Sequence, residues 1–297
     1  MAGRGHAQGG WVVNLLKGDG PLFHLLPREK KGAVPFEKKG SVPFYLFLFV
    51  FLVFFSGIYQ AASAECLTRG TGDLGIVIER ASGSVQILDT TAKDSLFRVE
   101  GLGDLSHASA VFSRDGRYAY VFGRDGGLSR IDLLCGTLDK RVVQAGNSIG
   151  GAVSQDGSLV AVSNYTPGGV KVFAADSLVL LADLPALDAS GKPSKVVGLV
   201  DAPGQRFVYT LYDAGEIRIA DLSDPAAPQV QKFPGIGRLP YDALITPDGR
   251  FYIAGLFGED GLALLDLWKP QQGVQRILYN YGRGKEKLPV YKLSLIH

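Results

Sequence analysis

The chain has 297 residues, with 31 Lys and Arg against 29 Asp and Glu and a formal net charge of +2. So even a balance excludes the concentrated basic face of a nucleic-acid binder, and the length allows one or two domains with a real core. Two cysteines, Cys66 and Cys135, cannot make a disulfide framework or a CxxC metal site; a single Cys66–Cys135 bridge is possible, but nothing in the sequence calls for it.

In chain order, residues 1–64 read as a leader. Residues 43–55 (PFYLFLFVFLVFF) form an uncharged apolar run, too short for a membrane span of roughly 20 residues but of signal-core length. Lys38 and Lys39 flank it, and Ala62 and Ala64 give an A-x-A site, so cleavage would leave Glu65 first. Two rival readings stand: an uncleaved anchor, and a lipid on Cys66, although an acylation site wants a small residue where Glu65 stands. Residues 1–33 fit no targeting pattern, and no methionine follows Met1. Native translation is therefore expected to start at Val34 or Val42, with 34–64 as the signal peptide and 65–297 as the folded domain.

Residues 70–75 (GTGDLG) match G-x-G-x-x-G only as text. A dinucleotide fingerprint follows a strand and opens a helix, whereas this one follows the leader and precedes a strand. It reads as a flexible entry, and no nucleotide is expected. Residues 147–151 (NSIGG) read as a turn with close backbone packing.

Beyond residue 70, apolar strands alternate with glycine turns, and no helical stripe ten residues long occurs. A unit recurs at 108–133, 149–173, 196–222 and 241–267: strand, Asp-Gly or Pro-Gly turn, strand, glycine loop, strand, then a more variable strand. The turn glycines Gly116, Gly157, Gly204 and Gly249 are spaced 41, 47 and 45 residues apart. Such periods mean propeller blades. Residues 75–89 supply a partial blade, and 273–292 look like the start of another. This predicts an all-β propeller with about five blades, incomplete at the C-terminus.

In a propeller the first strand of each blade lines the axis. The loops entering it, and those joining strands two and three, open on one rim, and the Asp-Gly turns lie opposite. His107, directly before strand 108–113, therefore belongs at the mouth of the central funnel. Equivalent positions are Ser148, Lys195 and Pro240, with Asn147, Arg238, Tyr241 and Asp242 beside them. The second loop set adds Arg124, Asn164, Tyr165, Tyr212, Asp213, Phe257 and Glu259. Aromatics for flat faces, Lys and Arg for acids and an imidazole for a metal suit a large planar ligand carrying carboxylates. On pattern alone His107 is either such a ligand or a solvated loop residue. Glu259 and Asp260 read as turn residues, and Ser106 with His107 is no nucleophile–base pair because neighbours on extended chain point apart.

The runs GLGDLSHASAVFSRDGRYAYVFGRDGGLSRIDL, GNSIGGAVSQDGSLVAVSNYTPGGVKVF and LPYDALITPDGRFYIAGLFGEDGLALLDLW closely resemble the NirF family of haem d1 biosynthesis proteins, over about 66–292. More distantly they resemble the haem-d1-binding propeller of cytochrome-cd1-type nitrite reductase, and NirN. The resemblance implies an eight-bladed propeller, a periplasmic location, and haem d1 or its dihydro precursor as ligand or substrate. It implies His107 as axial iron ligand and catalytic residue. Arg124, Asn147, Tyr165, Lys195, Tyr212, Arg238 and Tyr241 would form the rest of the binding set. It further implies other haem d1 maturation proteins and nitrite reductase as partners. Three roles follow: a tetrapyrrole dehydrogenase, a non-catalytic carrier, or an interaction module without a cofactor. Membrane contact is expected only through an uncleaved leader or a lipid on Cys66.

Overall fold

Runs in which every second residue is apolar, punctuated by glycines, build strands and little else. The computed structural model describes Cys66–Tyr279. The leader readings, including the start at Val34 or Val42 and the A-x-A site, lie outside the described residues. The chain divides into units 1–61 and 62–297, and every described residue belongs to the second. None of the described residues forms a helix long and apolar enough to cross a membrane.

Five antiparallel sheets follow one another, each with its strands in sequence order. The first is β1 (Leu74–Glu79), β2 (Ser84–Asp89) and β3 (Asp94–Val99). The second is β4 (Ser109–Phe112), β5 (Tyr118–Phe122), β6 (Gly127–Asp132) and β7 (Thr137–Val143). The third is β8 (Asn147–Val153), β9 (Leu159–Thr166), β10 (Val170–Ala174) and β11 (Leu180–Leu184). The fourth is β12 (Val196–Ala202), β13 (Arg206–Leu211), β14 (Glu216–Asp221) and β15 (Gln229–Pro234). The fifth is β16 (Pro240–Ile245), β17 (Phe251–Leu256), β18 (Leu262–Asp266) and β19 (Val274–Ile277). These are propeller blades, about five of them, as the repeat predicts. The partial unit proves to be an outer set: Leu74 of β1 pairs with Asp89 as Tyr118 of β5 pairs with Asp132. β1 thus holds a second-strand position, and the first sheet has no inner strand among the described residues.

The segment NSIGG is not a turn. It is the first half of β8, an inner strand, and only its close packing is as expected. A Cβ on Gly151 would sit 2.3 Å from the Ala161 carbonyl oxygen and 2.4 Å from the Phe122 ring. The inner strands β4, β8, β12 and β16 line a channel with two cavities. One, of about 570 Å³, is bounded by Val111, Arg114, Val153, Asp201 and Ile245. The other, of about 290 Å³, is bounded by Ser109, Gly150, Ser163, Gly198 and Asp242. Between sheets the blades bury apolar faces. Phe207 and Tyr209 pack against the third blade and Val208 and Ile217 against the fifth, all fully buried. Tyrosine hydroxyls cross the seams: Tyr120 donates to the Ala175 carbonyl at 2.9 Å and Tyr252 to the Gly198 carbonyl at 2.7 Å.

One device recurs at the hairpin turns. Ser113 Oγ donates to Asp115 at 2.5 Å and accepts from the Tyr118 amide at 2.9 Å. Ser154 does the same with Asp156 and Leu159, and Thr246 with Asp248 and Phe251. The turn glycines Gly116, Gly157, Gly204 and Gly249 all have positive φ, between 68° and 80°, a region that favours glycine. The hydroxyl of Ser113, Ser154 or Thr246, as the leading cause, holds each turn carboxyl below the usual carboxylate range. A second device caps the third strand. Asp132 takes the Leu134 and Cys135 amides and pairs with Arg117 at 2.8 Å; Asp266 takes the Trp268 amide and pairs with Arg250 at 2.9 Å. In the first blade Asp89 is met at 2.6 Å by Arg69, from the lead-in to β1.

That lead-in is docked, not flexible. Thr71 Oγ1 donates to the Asp115 carbonyl at 2.7 Å, and the Leu67 amide to the Leu134 carbonyl at 2.8 Å. Cys66 and Cys135 form a disulfide. The sequence gives no cue for it because the partners stand 69 residues apart, and only the blade turn that carries Cys135 brings them together. The bridge closes a loop spanning the first blade and β4, β5 and β6 of the second. In the chain-entropy view, closing a loop of that size removes about 4 kcal/mol of unfolded-state freedom.

Two outcomes are expected. Reduction of the bridge, or Cys135→Ser, lowers the thermal midpoint by several degrees in calorimetry, with the strand signal intact below it. The turn carboxylates also set an acid limit. Their folded forms hold the proton less tightly than the unfolded chain, so their stabilisation is complete above the unfolded value of about 4. It fades as the pH falls through the lower folded values. A triple Asp115→Asn, Asp156→Asn, Asp248→Asn variant should lose less thermal stability between pH 5 and pH 2 than the wild type; equal losses would contradict this.

Candidate functional site

His107 lies in an exposed turn immediately before β4, at the mouth end of the channel. Its loop is fixed from below. Leu102 and Leu105 are buried in the seam between the first two blades. The Arg124 amide donates to the Asp104 carbonyl at 2.8 Å, which ties this loop to the β5–β6 loop. The Ser106 amide donates to Asp104 Oδ1 at 2.9 Å, and the Ser106 hydroxyl is the leading cause that holds the Asp104 carboxyl low. Arg141 braces the loop pair from β7, with Nη2 on Asp125 and Nε donating to the Leu102 carbonyl at 3.2 Å. Gly103 makes this fit: its φ is +79°, and a Cβ there would meet Asp125 and Arg141. Arg124 is exposed on the tied β5–β6 loop.

A second group gathers on the same rim from three other blades. Tyr165, near the end of β9, shares a 2.9 Å hydroxyl–hydroxyl hydrogen bond with Tyr241 of β16. The Tyr241 ring lies 5.8 Å from Tyr212, edge to face, and 6.0 Å from Phe257. Burial, and then the bond to Tyr241, push the Tyr165 phenol well above its ordinary value; burial also raises Tyr212. Lys195 sits 5.4 Å over the Tyr212 ring, but its charge is taken by Asp213 at 3.0 Å. The Arg238 guanidinium is exposed and donates to the Gly258 carbonyl at 2.6 Å. Its backbone amide donates to Glu259, which also pairs with Arg276 at 3.0 Å.

The structure joins Tyr165, Tyr212, Tyr241, Phe257 and Lys195 in one contact group, while His107 and Arg124 stand on two loops tied by the Arg124–Asp104 backbone bond. Asn147 opens β8 opposite Thr166. Ser148 and Asn164 are buried and satisfied with Gln144, so they hold the rim rather than face a ligand. Tyr165 and Asn164 lie in β9, which runs further than the loop expected there. Sequence reading missed the braces Asp104, Asp125, Arg141 and Gln144. Their signal, a charged or amide residue flanking a rim glycine, is too common to read.

The class this defines is an all-β propeller with an imidazole, tyrosines and cations around its channel mouth. The Cytochrome D1 heme domain profile matches residues 69–297, and the chain belongs to that family. It is 68% identical over 227 residues to Protein NirF of Pseudomonas aeruginosa, covering 76% of this chain and 58% of that protein. It is 61% identical over 234 residues to Protein NirF of Stutzerimonas stutzeri, covering 78% and 60%. The chain therefore spans less than two thirds of the length of these relatives. Among solved structures, dihydro-heme d1 dehydrogenase NirN in complex with DHE superposes with a TM-score of 0.61 at 29% identity, covering 69% of this chain and 43% of that one. Kuenenia stuttgartiensis hydrazine synthase, at 18% identity and a TM-score of 0.54, shares the fold; it covers 68% of this chain and 63% of its own.

Gly103→Ala tests the loop brace. Forcing a Cβ into the left-handed region costs about 1–3 kcal/mol, so chemical unfolding should show a loss of that size. Ala at exposed Arg124 should leave stability unchanged.

Proposed function

We propose that this chain binds a late haem d1 precursor at the channel mouth, as part of haem d1 biosynthesis in the periplasm. The observation that carries the reading is the convergence on one rim of an exposed imidazole, a tyrosine cluster spanning three blades and two exposed guanidinium groups. The donor set fits the group. His107 has no hydrogen-bond partner among the described residues, so its imidazole is free to bind iron. Tyr212, Tyr241 and Phe257 offer ring faces and edges to a macrocycle. Arg124 and Arg238 offer guanidinium groups to its carboxylates, whereas Lys195 must first leave Asp213. The family match and the likeness to NirN, whose structure holds DHE, support this reading.

The bound precursor has two fates. In one, a propionate side chain is dehydrogenated to an acrylate, with two electrons passing to an external electron acceptor and two protons to solvent. In the other, the protein carries the precursor to maturation partners or to nitrite reductase. Carriage is favoured by the state of the rim bases. Asp213 and Glu259 are paired with Lys195 and Arg276, and an imidazole bound to iron has no lone pair left for a proton.

Titration with dihydro-haem d1 tests the reading. The wild type should perturb the visible spectrum on binding. His107→Ala should bind about ten-fold or more weakly, a loss of 1.4 kcal/mol or more, and lack the imidazole-ligated bands. Asp213→Asn, which frees Lys195, should tighten binding several-fold. No spectral change in the wild type would refute tetrapyrrole binding, and equal binding by His107→Ala would remove the axial ligand alone. Adding an electron acceptor separates the fates: a spectrum that moves on to the oxidised cofactor means turnover, and a static one means carriage.

A further inference from the structure

The sequence leaves Cys66 open to a thioether lipid, to no modification or to a bridge with Cys135, and the fold selects the bridge. We infer that the Cys66 sulfur is committed to the bridge with Cys135, so the mature chain carries no lipid there and is not held to a membrane through this residue. The inference rests on the reading of the chain as exported, since disulfides persist in oxidising compartments.

The bond is one of a set of contacts that fix the whole lead-in. Directly after the bridge, the Leu67 amide donates to the Leu134 carbonyl at 2.8 Å. Arg69 then pairs with Asp73 at 2.5 Å and Asp89 at 2.6 Å. Thr71 Oγ1 closes onto the Asp115 carbonyl at 2.7 Å. On the other side, Asp132 holds the turn that carries Cys135 by accepting the Leu134 and Cys135 amides. Both cysteines are thereby presented to one another by elements fixed independently of the bond.

The chemistry makes the two fates exclusive. A cysteine sulfur has one valence beyond its Cβ. Acylation replaces the thiol hydrogen with a diacylglyceryl carbon and leaves a thioether. Bridging removes a proton and an electron from each thiol. The two electrons and two protons pass to a protein disulfide of the exported compartment, which becomes a dithiol. Glu65, directly before Cys66, is also unlike the small residue an acylation site wants. The lead-in docks at the Asp-Gly turn end of the blades, away from the His107 rim, so the bridge and the rim act separately.

Peptide mapping of the full chain tests this. The protein is expressed in a bacterial host with an oxidising exported compartment, recovered from soluble and membrane fractions, alkylated with iodoacetamide and digested with trypsin without reduction. The expected product is the peptide ending at Arg69 joined to residues 131–140, separating only when a reductant is added. In Cys135→Ser the Cys66 peptide should instead carry the alkyl group. A diacylglyceryl thioether on Cys66 would overturn the inference and leave export standing. Two alkylated thiols on a chain cleaved after Ala64 would overturn the bridge alone. Two alkylated thiols on a chain that keeps its leader would overturn both.

Discussion

A four-stranded sheet that is apolar on both faces cannot stand in water alone, and that constraint organises this molecule. Each blade must press its faces against a neighbour. Ile87 and Val85 meet Ile131 and Leu133 across the first seam, and Tyr209 and Tyr252 fill later ones. Because strands twist with a fixed hand, sheets stacked face to face fan around an axis. The innermost strand of each then has only the channel before it. Everything proposed for the rim depends on this: four first strands arrive at one mouth, each led by a loop whose side chains face a common space.

Much of this was legible in the residues, and the reason is local. Turn chemistry is written in consecutive positions. The Asp-Gly and Pro-Gly pairs announce left-handed glycines, and Gly116, Gly157, Gly204 and Gly249 all have positive φ, whereas the bracing hydroxyls of Ser113, Ser154 and Thr246 emerge only in the fold. The expected placement of His107 comes from counting back from the turn glycine Gly116. By contrast, NSIGG reads as a turn because two glycines are adjacent. Its strand character comes from Phe122 and the Ala161 carbonyl, which demand bare backbone and lie elsewhere in the chain. The Cys66–Cys135 bond was possible but uncued for the same reason, since proximity there is a property of the stacked blades. Lys195 is an intermediate case. Its rim position was readable, but its capture by Asp213, eighteen residues on, depends on the loop that returns Asp213 to the same edge.

The rim is therefore asymmetric in a way the sequence does not show. On one side stand an unpaired imidazole and an exposed Arg124, on a loop held rigid by Leu102, Leu105, Arg141 and Asp125. On the other side the tyrosines form their own bonded cluster, and their acid and base neighbours are already matched. The proposed carriage of a planar, carboxylated ligand rests on this asymmetry. At the opposite end Arg114 bonds the Ser154 and Val153 carbonyls and Asp201, which ties three blades together at the wall of the larger cavity.

The most direct test of this account is a crystal structure of the protein with dihydro-haem d1 bound. The account predicts the macrocycle across the channel mouth, its iron on the His107 imidazole and its edge against Tyr212 and Tyr241. A macrocycle on the Asp-Gly turn face or the outer wall of the blades, with His107 free in solvent, would contradict it.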